Sequence, residues 1–191
     1  MVKIINIGVG NLLSLHYSLL SVNIENKIIT SPNEISSNDI IILPGVGSIK
    51  NYMKLLKLSK FEKKIKQHFE NNSKLIGICI GMHALSGYSD EDGGTKCLNI
   101  LNTKVVKMHE GQINGWKNIT LPRKIFKQKI TGRVFYNHEY GMIKKNYRSY
   151  TINIPGKKYI SFIKKKNFYG FQFHPEKSQK TGLQILKKLL S

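Results

Sequence analysis

A cysteine stands between two glycines in Gly77-Ile78-Cys79-Ile80-Gly81, at the end of the apolar run Lys74–Cys79. That frame suits a nucleophile. A sharp strand-to-helix turn holds its central residue in strained backbone, glycines at both second neighbours remove the clashes, and the side chain is lifted clear of the sheet. The helix that follows supplies N–H groups and positive potential, which lower a thiol's pKa and stabilise an oxyanion. The plainer alternative is a small buried core residue. Cys97 has no such frame and takes that plainer reading.

A thiol nucleophile needs a base, and the chain offers His16, His68, His83, His109, His138 and His174. His68 lies in a Lys- and Glu-rich helical stretch and is expected to be solvated. His174 ends the alternating run Tyr169–Phe173 and is followed by Pro175 and Glu176, so the chain turns where an imidazole is presented. Glu176 could accept the imidazole N–H and fix its tautomer, as the third member of a triad does. The alternative is a strand-end histidine beside a surface glutamate. Pro44-Gly45-Val46-Gly47 lies where a third strand ends, the edge at which open α/β sheets place ligands. Its backbone could approach a substrate closely and aim N–H groups at a developing negative charge, or simply turn from strand to helix. Gly8-x-Gly10 begins like a dinucleotide fingerprint, but residue 13 is Leu and no acidic residue clearly ends the second strand.

These residues need a scaffold, and the apolar pattern supplies one. Residues 2–7 read as a strand, Gly8–Gly10 as a turn, and the stretch carrying Leu12, Leu15, Leu19 and Leu20 as a helix. Lys27–Thr30, Asp39–Leu43 and Lys74–Cys79 follow as strands, with helices predicted at about 48–57 and 60–72. Strands alternating with helices imply an α/β fold with a mostly parallel sheet and helices on both faces. After residue 98 the runs shorten: Asn99–Met108, Arg133–Tyr136, Tyr147–Ile154, Tyr159–Ile163 and Phe168–Phe173 predict a mixed or antiparallel extension. Thr181–Leu190 closes as a helix with Leu183, Leu186, Leu189 and Leu190 inward and Lys187 and Lys188 outward. Residues 1–191 read as a single domain.

Composition narrows the classes. The 191 residues are 40% hydrophobic, enough for one sizeable core, and no apolar run approaches the ~20 residues that span a bilayer. Two cysteines are too few for a disulfide scaffold or a cysteine zinc site, so a reducing, cytoplasmic setting without a membrane role is expected. The net charge of +20 suggests a polyanion partner. Against that, the arginines are only Arg123, Arg133 and Arg148, and the rest is lysine spread evenly. The expectation is a solvated lysine surface and no nucleic-acid partner.

Taken together, PGVG at 44–47, GICIGM at 77–82 and FHPEKS at 173–178 resemble the triad-type, class I glutamine amidotransferases. GVGNLLSL (8–15), NGW (114–116), HEY (138–140) and HPEKSQ (174–179) are similar, more particularly, to the glutaminase subunits of imidazole glycerol phosphate synthases. The resemblance covers essentially the whole chain. It implies a flavodoxin-like domain that hydrolyses glutamine to glutamate and ammonia with no metal or cofactor. Cys79 would attack the amide, His174 would move protons, and Glu176 would orient His174. Backbone N–H groups of Ile80 and of Val46–Gly47 would form the oxyanion hole, and Gly45, His83 and Glu91 would hold glutamine. Ammonia would pass to a barrel-shaped cyclase partner in a heterodimer, with Asn11, Trp116, Tyr140 and Lys177 at or near the interface.

The chain departs from the family pattern at three points. His83 stands where the family usually has Gln, Glu139 where it reads Ser in His-Ser-Tyr, and Asn6 where an aspartate is usual. Three alternatives to histidine biosynthesis follow. They are an ammonia donor to a sugar-amidinating enzyme of surface polysaccharide synthesis, a binding or regulatory module that has lost catalysis, and a cysteine peptidase of related fold.

Overall fold

The structure, a computed structural model, describes residues 1–143 and 150–191. The strands β1 (Val2–Ile5), β2 (Asn26–Ile29), β3 (Ile40–Leu43) and β4 (Leu75–Ile78) form where β-branched and leucine residues run together. Between them lie α1 (Leu12–Leu20), α2 (Ile49–Leu58) and α3 (Phe61–Glu70), and α4 (Ile80–His83) follows β4 directly. Every residue of β4 is buried, as expected of a parallel strand covered on both faces. Ser48 caps α2 by accepting from the Asn51 N–H.

The second half adds β5 (Tyr88–Ser89), β6 (Thr95–Lys96), β7 (Lys104–Lys107), β8 (Ile113–Leu121), α5 (Arg123–Phe126), β9 (Ile130–His138) and β10 (Tyr140–Ile143). It ends with β11 (Tyr150–Asn153), β12 (Ile160–Lys165), β13 (Phe168–Phe171) and α6 (Gln179–Leu190). The main sheet has seven strands in the order β11-β12-β13-β4-β3-β1-β2. The five from β2 to β13 pair in parallel, and β12 and β11 add on antiparallel. From β1 the chain steps one way to β2, and from β3 it steps the other way to β4. Right-handed crossovers therefore put α1 on one face and α2 with α3 on the other. A four-stranded sheet, β10-β7-β5-β6, and the antiparallel pair β8-β9 form the expected mixed extension.

Several details differ from the sequence reading. Only Lys104–Lys107 of the run Asn99–Met108 is strand, because Asn99 adopts left-handed backbone at the start. The run Tyr147–Ile154 has its first three residues outside the described ones. Strand β8 went unread: Ile113, Ile119 and Leu121 are its only buried residues, and its long pairing with β9 supplies what its apolar content does not. In α6 the buried stripe is Gly182, Ile185, Leu186 and Leu189, spaced i, i+3, i+4, i+7. Leu183 and Leu190 fall at its margins and are half-buried. In α1, Leu15 and Leu19 are buried, while Leu20 flanks them and is exposed.

His68 is the clearest correction. It is buried, not solvated, because the inward stripe of α3 is Phe61, Ile65 and His68. Its Nε2 pairs with the Lys74 carbonyl at 3.3 Å, and burial holds its pKa below the ordinary histidine value.

Candidate active site

Three adjacent parallel strands, β3, β4 and β13, deliver the candidate residues to one carboxyl edge of the sheet. Cys79 follows β4 immediately, with φ 51° and ψ −112°. Such backbone is costly for a residue with a side chain and persists only where its surroundings force it. Here they do. The Cys79 N–H donates to the Phe171 carbonyl at 2.7 Å. A Cβ on Gly77 would meet Met82 Cα at 2.8 Å, and one on Gly81 would overlap the Leu43 carbonyl oxygen. A Cβ on Gly45 would lie 2.9 Å from the Tyr52 ring and 3.0 Å from Gly81 N. The loop after β3 and the turn after β4 are therefore locked backbone to backbone. The Tyr52 hydroxyl completes the lock by donating to the Pro44 carbonyl at 2.9 Å.

His174 leaves β13 under similar control. Its N–H donates to the Phe135 carbonyl at 2.9 Å. The buried Ser178 hydroxyl donates to the His174 carbonyl at 2.6 Å and accepts from the Phe135 N–H at 3.0 Å. Replacing Ser178 with alanine leaves the Phe135 N–H without its partner and the His174 carbonyl with only the Lys177 N–H, at 3.1 Å. The expected loss is about 1–3 kcal/mol, read as a lower denaturant midpoint.

The ring's Nδ1 lies 2.8 Å from Glu176 Oε1, with both side chains almost fully buried, so Glu176 is not a surface residue. Burial works against charge on His174, but hydrogen bonds and charge from Cys79 and Glu176 outweigh it and raise its pKa to about 10. With Nδ1 committed to Glu176, Nε2 is left for Cys79. The arrangement is a sulfur nucleophile, an imidazole held in its charged form and an orienting carboxylate in series.

Cys79 and His174 line a cavity of about 210 Å³ together with Val46, Gly47, Ile80, His83, Glu91, Asn137, His138, Glu139, Tyr140 and Lys177. Its volume lies below the roughly 300–1,000 Å³ of drug-sized sites, which suits a small metabolite. Val46 and Gly47 are exposed, and Gly47 holds φ +93°, a conformation natural to glycine. Ile80 begins α4, where a backbone N–H has no intrahelical acceptor. Burial, then the neighbouring Asp92 charge, pushes the Glu91 carboxyl up to about 7. His83 and His138 are buried neutral, pushed down to about 4 and about 3, burial being the main cause for both.

Not every expected residue reaches the cavity. Gly45 is buried beneath it against Gly81. Trp116 sits apart on β8, edge-on to Phe135 at 5.8 Å with the Arg133 guanidinium 5.9 Å over its ring. Asn11 precedes α1 at the end of the β1 turn and makes no side-chain cap. Asn137 and Glu139 line the cavity unforeseen, as does the His138 ring, whose Nδ1 pairs with the Tyr140 carbonyl at 2.8 Å. Gln172 was also missed. It is fully buried beside Cys79, and a glutamine between Phe171 and Phe173 in a buried run was the available signal. Among the described residues no group of three or more His, Cys, Asp or Glu side chains is placed to hold a metal ion.

Comparisons with known proteins agree with this geometry. A family model described as glutamine amidotransferase class-I matches residues 3–190. An imidazole glycerol phosphate synthase subunit HisH of Blochmanniella floridana is 35% identical over 194 residues, spanning 98% of this chain and 97% of that one. The subunit of the same name from Caldanaerobacter subterraneus is 34% identical over 195 residues, spanning 98% and 96%. Among solved structures, PurLQS from Thermotoga maritima superposes with a TM-score of 0.78 at 16% identity, covering 99% of this chain and 96% of that one. That last likeness establishes the flavodoxin-like fold alone. The sequence matches go further: the chain belongs to the class-I glutamine amidotransferase family, among the HisH subunits of imidazole glycerol phosphate synthase.

Proposed function

We propose that the chain is the glutaminase subunit of an imidazole glycerol phosphate synthase, with Cys79, His174 and Glu176 as its catalytic residues. The observation that carries this is the buried series Cys79–His174–Glu176, whose first two members line a cavity together with Val46 and Gly47. Cys79 Sγ, its proton already held by His174, attacks the carboxamide carbon of glutamine. The former carbonyl oxygen becomes an oxyanion within reach of N–H groups from Ile80 and the Val46–Gly47 segment. Imidazolium His174 protonates the nitrogen as the C–N bond breaks, releasing ammonia and leaving a γ-glutamyl thioester. His174 then takes a proton from water, the hydroxide adds to the thioester carbon, and the C–S bond breaks to release glutamate and return the sulfur paired with the imidazolium.

The substrate's α-ammonium finds its counter-charge in Glu91. Since that carboxyl titrates near 7, its charged fraction rises about tenfold between pH 6 and pH 8. KM for glutamine is therefore expected to fall by about that factor over the same range. Glu91→Gln is expected to raise KM and flatten its pH dependence, as steady-state kinetics will register. Ammonia passes to a barrel-shaped cyclase subunit docked over the cavity mouth, where Tyr140 and Lys177 lie, with Asn11 and Trp116 at the wider contact. A reducing, cytoplasmic setting keeps the Cys79 thiol available.

The deciding experiment measures glutamate release from glutamine by the chain mixed with its cyclase subunit and that subunit's nucleotide ligand. Turnover in the full mixture that vanishes with Cys79→Ala is the expected result. A folded chain that forms the complex and releases no glutamate would overturn the proposal.

A further inference from the structure

Gln172 and His174, two residues apart at the exit of β13, both reach Cys79. Gln172 is fully buried; its Nε2 lies 3.9 Å from Cys79 Sγ and its Oε1 lies 2.7 Å from His83 Nε2. A buried carboxamide is costly unless both ends are partnered, and here both are. With the amide oriented this way, the proton positions follow. An amide oxygen only accepts, so His83 carries its proton on Nε2, and the Gln172 NH2 group is the donor that faces sulfur.

We propose that Gln172 is a positioning residue for the nucleophile, donating a hydrogen bond to the Cys79 sulfur, and that His83 holds the Gln172 amide in the orientation that allows it. The inference rests on Cys79 being the glutaminase nucleophile. A donor to sulfur binds the thiolate more strongly than the thiol, so it favours the reactive form. It also approaches from a different residue than His174, which leaves the sulfur fewer orientations. His83 then serves the nucleophile through Gln172, a different task from the glutamine contact that the family position implies. The His83 ring is suited to it, because buried and neutral it presents one fixed donor to Oε1 throughout the working pH range.

The test is the rate of Cys79 alkylation by iodoacetamide on the full chain between pH 5 and pH 10, with the label located at Cys79 by mass spectrometry. Gln172→Leu removes the donor and is expected to slow alkylation at pH 7 about three- to tenfold and move the profile to higher pH. Gln172→Glu, nearly isosteric, places an acceptor and a charge against sulfur and is expected to slow it further. His83→Leu is expected to lose part of the rate, and His83→Gln, whose amide can donate to Oε1, to recover most of that loss. In the complex, kcat for glutamate release falls with Gln172→Leu while KM moves little.

A wild-type alkylation profile in either Gln172 variant, with a native thermal transition, overturns the positioning role and leaves Cys79-dependent turnover untouched. Altered alkylation in a complex that never releases glutamate would instead sink the glutaminase reading and keep the contact.

Discussion

Replacing His174 with alanine is expected to reduce glutamate release by about 10³-fold or more, or roughly 4 kcal/mol of transition-state stabilisation. In the proposed mechanism the ring performs both proton transfers and its charge stands against the Cys79 sulfur, so its removal disables nucleophile and acid together. Glu176→Gln keeps the shape and removes the charge. Its expected loss is about 10²- to 10⁴-fold, through the wrong tautomer and a less stable imidazolium. The pH profile separates the two contributions. His174 titrates near 10 and is charged below that value, able to protonate the departing nitrogen. With Glu176→Gln one of the groups raising that pKa is gone, so the alkaline limb should move down. An unmoved limb, measured by glutamate release in the complex, would mean that Glu176 does not hold the ring's charge.

The second large effect concerns the fold itself. Gly81→Ala would drive a methyl group into the carbonyl of the fully buried Leu43, which is backbone of strand β3 and cannot swing aside. A loss of about 3 kcal/mol or more is expected, a large share of a typical domain's total stability of about 5–15 kcal/mol. Urea unfolding followed by far-UV circular dichroism checks it. Gly47→Ala is the instructive contrast, since open space surrounds that position and only its φ of +93° is unfavourable. It should cost about 1 kcal/mol of stability and show its effect in kcat, through displacement of the proposed oxyanion donor. Equal stability losses in the two variants would show that the β3–β4 lock is looser than these contacts indicate.

Much of this was legible beforehand, for identifiable reasons. Strands β1, β3 and β4 are buried on both faces, and that demand writes itself as uninterrupted apolar runs. The glycines around Cys79 were readable because a strained turn packed on a neighbouring strand tolerates nothing larger. Glu176 was harder: spacing brings a carboxylate near His174, but burial of the pair depends on Phe135, Ser178 and α6 closing around the turn. Residues assembled by tertiary contact were the least legible, and the HEY run at 138–140 stood out as a motif without showing its place at the cavity. Gln172, His138 and Glu139 acquire their places only when β9 and β13 meet. His68 shows the converse failure, since its charged neighbours in sequence occupy the other side of the helix.

The cavity's size has a pharmacological consequence. Glutamine has about ten non-hydrogen atoms, and a site near 210 Å³ leaves little room for a larger reversible ligand. Even at the ceiling of about 1.5 kcal/mol per atom that the smallest ligands reach, affinity has few atoms to draw on. Cys79 is only 3% exposed, which further screens it from bulky reagents. Selective inhibitors of this chain should therefore be slim electrophiles shaped like the substrate side chain, whose potency comes from the covalent bond.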